Sequence, residues 1–379
     1  MTRRSRTRAH LAEALALQPH DAVGGRTIAV AGLGMIVPVA AGVALGDPET
    51  GFTIGLGAML LAGPTTAPDA EAAQERRAPA TAVLPAIGAV LAASAVAGHA
   101  WSDLALVLLA TAAASVSGYS RPVGVAAIRF IVYLVLSFGL LDAAGSHRGG
   151  AALIFGLGAL WNIGVRRLLA RRAPTEATVA SETRPSPTHA QLRAHWRRTM
   201  REPAGWQFPL RLGAGLTIAC LIKAAWPSHH YGWVVLTVAL LTQLPLEHVP
   251  VKLTQRALGT LFGVGLTWLV LRGLSATLAL AALICLLAVL APIARARSYL
   301  AYASVSTPAI LLVLDIEKPI DPRLLADRLV ATIAGAAIVI AANLAADRWL
   351  PKPSPSRRGD ARRRVSGRGR RTRPRAAAS

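Results

Sequence analysis

Uncharged apolar stretches of about 17 to 22 residues recur along the chain, separated by short polar breaks. Each is long enough to cross ~30 Å of hydrocarbon as a helix. The pattern predicts twelve spans. The first six run over 27–46, 51–66, 79–98, 102–118, 124–141 and 149–166, and the second six over 208–226, 230–246, 256–272, 275–293, 298–315 and 327–346. Several are rich in Ala and Gly, not Leu, and 51–66 is the least regular, with Gly51, Gly55, Gly57, Gly63 and Pro64. The expected fold is an all-α polytopic transmembrane bundle of two six-span halves.

Composition agrees with this reading. The 379 residues are 53% hydrophobic and 16% charged, where a soluble domain carries roughly 25% charged residues. The charges gather at the two ends and in the middle. Arg3, Arg4, Arg6 and Arg8 precede the first span, Arg76 and Arg77 follow the second, Arg166, Arg167, Arg171 and Arg172 follow the sixth, and Arg295 and Arg297 follow the tenth. The alternate loops carry few cations and more acid: Asp47 with Glu49 in one, and Glu317 with Asp321 beside Lys318 and Arg323 in another. By the bias of Lys and Arg toward the cytoplasm, both termini and the central linker are expected there, in a multi-pass protein of the cell membrane. No cleavable leader precedes the first span, which is expected to stay in the mature protein.

The net charge of +22 sits mostly in these flanks, above all between Arg357 and Arg375. Beside a last membrane helix, such a tail points to anionic lipid and not to nucleic acid. Five segments follow: an amphipathic N-terminal stretch (1–25), a first membrane half (26–166), a basic linker with an interfacial helix (167–207), a second membrane half (208–346) and a basic tail expected to be disordered (347–379).

The halves share their entrances. Arg8-Ala9-His10 precedes Arg26, and Arg193-Ala194-His195 precedes Arg211, both pairs 185 residues apart (193 − 8 and 211 − 26). Within the second half a further pattern repeats: Arg256-x-x-Gly259-Thr260-x-x-Gly263 opens one span, and Arg328-x-x-Ala331-Thr332-x-x-Gly335 opens another 72 residues later (328 − 256). In each, small residues four apart share a helix face and admit a neighbouring helix, so Gly259, Gly263, Ala331 and Gly335 are read as packing residues. The motifs open the third and sixth spans of their half. A three-span unit has an odd number of crossings, so two copies would be inverted, as in many transporters.

The second half resembles the fusaric acid resistance-type family, which includes bacterial aromatic acid exporters. The resemblance rests on Arg211 opening a Gly/Ala-rich span, on His230-Tyr231-Gly232-Trp233-Val234-Val235-Leu236-Thr237 running on to Gln243 and Pro245, and on Arg256-Ala-Leu-Gly259-Thr260-x-x-Gly263 with its echo at Arg328. It implies an integral membrane transporter for efflux of small organic anions, aromatic carboxylates in particular, with proton exchange as a coupling mode and a homodimer as the assembly.

Candidate substrate-binding residues are the cations Arg129, Arg211, Arg256 and Arg328, the aromatic residues Tyr231 and Trp233, and the hydroxyls Thr260 and Thr332. A guanidinium offers a fork that matches a carboxylate. The same cations could instead snorkel to headgroups, and the threonines could bond back to the preceding turn. Pro245 and Pro308 could break or merely kink their helices. His229 and His230 read as membrane-edge residues, Cys220 and Cys285 as packing residues, and Asp103, Asp142, Asp315 and Asp327 all lie near span ends, so no proton carrier stands out. There is no phosphate-binding glycine loop, metal-spaced cluster or catalytic constellation, so neither an enzyme nor a cofactor is expected. Two other readings remain at this point: a passive organic-anion channel, and a non-transporting membrane scaffold with a basic recruiting tail.

Overall fold

The computed structural model describes residues 23–61, 80–143, 148–171, 187–227, 229, 231–242, 249–273, 277–314 and 322–349. Residues 1–22 of the N-terminal stretch, residues 172–186 of the linker, Pro64, His230, Gln243, Pro245, Asp315 and the tail from residue 350 on lie outside these residues. The described residues form thirteen α-helices. The first half holds α1 (Gly25–Leu45), α2 (Pro48–Leu61), α3 (Ala80–Val96), α4 (Ser102–Val116), α5 (Arg121–Ala143) and α6 (Arg148–Arg171). The linker helix α7 (His189–Arg201) follows, and then α8 (Gln207–Ala225), α9 (Gly232–Thr242), α10 (Val249–Gly273), α11 (Thr277–Arg297), α12 (Tyr299–Leu314) and α13 (Pro322–Trp349).

Helix ends follow local chemistry. Gly46 closes α1 at φ 77°, a left-handed position suited to glycine, and donates its N–H to the carbonyls of Gly42 and Val43. Asp47 then accepts the N–H of Thr50 at 3.1 Å and starts α2. The linker helix α7 opens with a capping box in which Thr188 and Gln191 exchange side-chain and backbone bonds. Its Trp196 donates to the carbonyl of Ser115 at the end of α4, which ties the linker to the first half. Pro308 lies inside α12, which continues through it, so the expected break is absent there.

Among the described residues, six segments are long and apolar enough to cross a membrane: Gly25–Leu45, Arg121–Leu141, Ala152–Leu169, Pro203–Ala225, Thr277–Arg297 and Ala326–Ala346. The expectation of twelve full-length spans is therefore met only in part. Val83–Val96, Ser102–Val116, Gly232–Thr242 and Tyr299–Val313 are apolar but shorter. At ~1.5 Å per residue, the 11 residues of α9 cover about 16 Å, half of a hydrocarbon core. The outward faces are greasy: Leu104 with Leu108, Leu153 with Leu157 and Leu160, and Ile333 with Ile340 and Leu344 are exposed at helical spacing, as lipid-facing stripes would be.

The helix pairings repeat. In the first half α1 packs on α2, α2 on α6, α3 on α5 and α6, α4 on α5, and α1 on α6. In the second half the equivalents pack likewise: α8 on α9, α9 on α13, α10 on α12 and α13, α11 on α12, and α8 on α13. The halves also meet reciprocally, α11 against α1 and α4 against α8, α12 against α2 and α5 against α9. Exchanging the halves returns these contacts, the mark of a pseudo-twofold relation, although the packing of α5 on α6 has no counterpart between α12 and α13 among the described residues. A glycine serves each of the first two contacts: Gly32 on α1 faces Val289 on α11, and Gly213 on α8 faces Thr111 on α4.

Small residues set the close approaches of the second half. A methyl group on Gly259 would fall 2.5 Å from Cβ of Ala303 and 2.8 Å from the carbonyl oxygen of Leu300 on α12. On Gly263 it would lie 2.9 Å from Cδ of Pro308 and Cβ of Thr307, and on Gly335 it would lie 2.7 Å from Cβ of Thr237 on α9. Ala331 is fully buried. Gly259→Ala should therefore cost about 1–3 kcal/mol by overpacking, seen as a lower unfolding midpoint of the purified protein. Gly265→Ala, where a methyl group meets nothing within 4 Å, should leave the midpoint unchanged or raise it.

Candidate anion-binding site

Two cations define the interior of the second half. Arg256, in the second turn of α10, and Arg328, in the second turn of α13, are 6% and 1% exposed. Neither snorkels, because both are turned into the bundle. They lie close enough to repel one another, and α10 packs on α13. Each is held by an aromatic residue from the first turn of another helix. The Arg328 guanidinium sits over the Trp233 ring of α9, 3.6 Å from its centroid, and Nη1 of Arg256 donates to the hydroxyl of Tyr299 on α12 at 3.2 Å.

These contacts leave hydrogen-bonding capacity unused. Among the described residues, Nε of Arg256 and both Nε and Nη1 of Arg328 have no partner, and neither do the hydroxyls of Thr260 and Thr237. Among the described residues no carboxylate pairs with either guanidinium. Arginine cannot shed its proton, so its charge persists wherever it is buried.

The repeated motif orders these groups. Thr260 follows Arg256 by one turn on α10, and Thr332 follows Arg328 by one turn on α13. Thr332 bonds back to the Arg328 carbonyl at 2.9 Å, whereas Thr260 stays unpartnered. Trp233 also packs against Val264 of α10 and Leu311 of α12. Val264 lies eight residues beyond Arg256 (264 − 256), about 12 Å along the helix. The Arg328–Trp233 pair therefore closes one end of this interior and the Arg256–Tyr299 pair the other, with Thr260 between them.

The remaining candidates fall elsewhere. Arg211 is 9% exposed and bonds Asn343 of α13 at 2.9 Å and the Gln207 carbonyl at 3.1 Å. Asn343 is 15 residues from Arg328 (343 − 328), about 22 Å along α13. Arg211 is thus a buried strut at the opposite end of α13. Arg26 plays a similar part in the first half, donating to the Arg166 carbonyl of α6 at 3.2 Å. Arg129 is half-buried in α5, close to Tyr133 of the same helix. Tyr231 lies beside the site, stacked on His229 with ring centroids 5.0 Å apart.

Three features escaped the sequence reading. Asn343 is a polar residue within an apolar span, a signal that was present and unused. Tyr299 opens its helix without marking itself in sequence. Asp327 was placed at a span end and His229 at a membrane edge. The structure buries Asp327 and joins it to Nδ1 of His229 at 2.9 Å.

By helix length and apolar composition, the described helices are those of a multi-pass helical membrane protein. Residues 218–342 match the model of a family described as fusaric acid resistance protein-like, which bears out over that stretch the resemblance read from the sequence. The match takes in Tyr231, Trp233, Arg256, Thr260, Arg328 and Thr332, while Arg211 and Arg129 lie outside it. No curated protein and no solved structure matches the chain.

Removing the amide of Asn343 would leave the buried Arg211 guanidinium short of an acceptor. Asn343→Ala should destabilise the folded protein by about 1–3 kcal/mol, read as a drop in unfolding midpoint in detergent. Binding at the Arg256–Arg328 site should change by less than about twofold, because well-separated positions act independently.

Proposed function

We propose that the protein is a cell-membrane carrier that exports small organic anions, with aromatic carboxylates as the preferred class. The observation behind this reading is the pair of buried guanidiniums that, among the described residues, keep unused N–H groups and form no ion pair with a carboxylate. A buried, uncompensated charge costs several kcal/mol, and two like charges in one interior add repulsion. A bound carboxylate offsets both terms and fills the open donors with charge-assisted bonds. An aromatic ring on that carboxylate would find Trp233 and Tyr299 at the two ends of the site.

The pairing of helices supports a 3+3 inverted repeat in each half. Advancing three helices carries α8–α9 onto α11–α12, and α10–α12 onto α13–α9. The motifs follow suit, because the small residues of α10 pack on α12 and those of α13 pack on α9. Each arginine thus has its aromatic partner on the middle helix of the other triplet. Opening the Arg328–Trp233 end while the Arg256–Tyr299 end stays shut, and then the reverse, gives alternating access. The short α2 and α9 occupy matching places in the two halves, a feature of transporters whose sites lie near the midplane.

Reading every apolar helix as a crossing restores twelve spans with both termini in the cytoplasm. The basic flanks would meet anionic lipid, and the assembly would be a homodimer. A permanently open channel is disfavoured by the burial of both arginines, which a water-filled pore would leave hydrated. An enzyme has no support in the site.

The test is uptake of radiolabelled benzoate into inverted vesicles, with and without a proton gradient. Arg256→Ala and Arg328→Ala should each lower uptake at least about tenfold, a loss of ~1.4 kcal/mol or more, at unchanged amounts of folded protein. Wild-type uptake no greater than in vesicles lacking the protein, across a panel of organic anions, would remove the carrier reading.

A further inference from the structure

We propose that His229 and Asp327 form a proton-binding site that is linked to anion binding at Arg328. This inference rests on the anion-carrier reading and adds to it the group that carries the proton. The pair stands at one end of the anion interior. Asp327 immediately precedes Arg328 in α13 and is 7% exposed, while His229, in the segment between α8 and α9, keeps 44% of its side chain exposed. The carboxylate is thus buried against the anion site, and the imidazole that caps it reaches solvent.

The bond between them survives a change of charge. Nδ1 of His229 lies 2.9 Å from Oδ1 of Asp327 and donates to it whether Nε2 is bare or protonated. With Nε2 bare the pair carries a net negative charge, and with Nε2 protonated it carries none. Next to the pair, Arg328 follows Asp327 on α13 and lies within the field of Arg256 on α10, and the Tyr231 phenol is stacked on the imidazole. The Lys223–Asp103 pair, 3.0 Å apart where α8 meets α4, satisfies its own charges.

The sign follows from these charges. An anion arriving at Arg328 is repelled by Asp327 when His229 is neutral, and this repulsion is cancelled when His229 takes a proton. Protonation therefore tightens anion binding, and by reciprocity a bound anion raises the proton affinity of the pair by the same factor. The proton enters at Nε2 from the aqueous side and leaves the same way, with no bond to the anion formed or broken. Proton and anion are then held together at this end of the carrier and not in turn.

The experiment is benzoate binding to the purified full-length protein by calorimetry between about pH 5 and 8, where histidine changes charge. Wild-type affinity should rise about fivefold or more as the pH falls, the low end of ordinary site-to-site coupling. His229→Gln keeps a donor toward Asp327 and should flatten the profile while still binding benzoate. Asp327→Asn should bind more tightly than wild type at the alkaline end, with a smaller change across the range. A flat wild-type profile, or one whose slope persists in His229→Gln, would overturn the assignment, as would an affinity that falls on acidification. Absence of benzoate binding by the wild type at every pH would instead fail the anion-carrier reading on which the linkage depends.

Discussion

An arginine in an apolar interior has no escape through deprotonation, so a fold that buries one must provide compensation. This protein buries Arg256 and Arg328 within reach of each other's field and compensates neither in full. The ring under Arg328 and the hydroxyl beside Arg256 offset part of the cost, and donors remain on both guanidiniums. An interior built this way is under electrostatic demand for an anion. The close packing of the second half serves to hold it shut. Gly259 and Gly263 bring α10 onto α12, and Gly335 brings α13 onto α9, so that each arginine is carried up to the aromatic partner on the opposing helix.

The same geometry makes the site two-ended. Trp233 belongs to the first turn of α9 and Tyr299 to the first turn of α12, and α9 and α12 are the middle helices of the two triplets. In the inverted repeat proposed above, one arginine–aromatic pair falls at each end of a shared interior. Opening one end breaks one cation–ring or cation–hydroxyl contact, worth about 0.5–2 kcal/mol, while the small-residue contacts of the other end stay intact. A modest difference of this size is what a ligand's binding energy can supply.

Much of this was legible because its signals are local. A run of apolar residues declares a helix, and Arg-x-x-small-Thr declares a cation one turn from a hydroxyl and beside a close contact. The all-helical fold class, and Arg256, Arg328 and Trp233 as candidates, could therefore be read from spacing, residue type and family resemblance. Partners could not, because they arise from which helix lies against which. Arg211 reads as a boundary cation in sequence, yet it is joined to Asn343, 132 residues away. His229 and Asp327 lie 98 residues apart and meet only because α13 packs against α8 and α9. Span lengths misled for a different reason. Hydropathy marks how apolar a stretch is and not how many of its residues are helical, and α9 is described over 11 residues only.

The first half shows what the scaffold becomes when the charge is satisfied. Asn162 of α6 donates to the Ala58 carbonyl of α2 at 2.9 Å and accepts from Nε of Arg166 at 2.8 Å, and the buried Tyr133 hydroxyl bonds the Gly57 carbonyl at 2.5 Å. These bonds run between α2, α5 and α6, where the second half has α9, α12 and α13. The two halves pair their helices alike, yet one joins its helices through cross-helix polar bonds and the other leaves guanidinium donors unused. Polar bonds between membrane helices each resist separation, by about 0.6 kcal/mol on average. The second half has such bonds too, Arg211 to Asn343 and Arg256 to Tyr299, so what sets it apart is the buried guanidiniums with donors left over and not a want of cross-helix bonding.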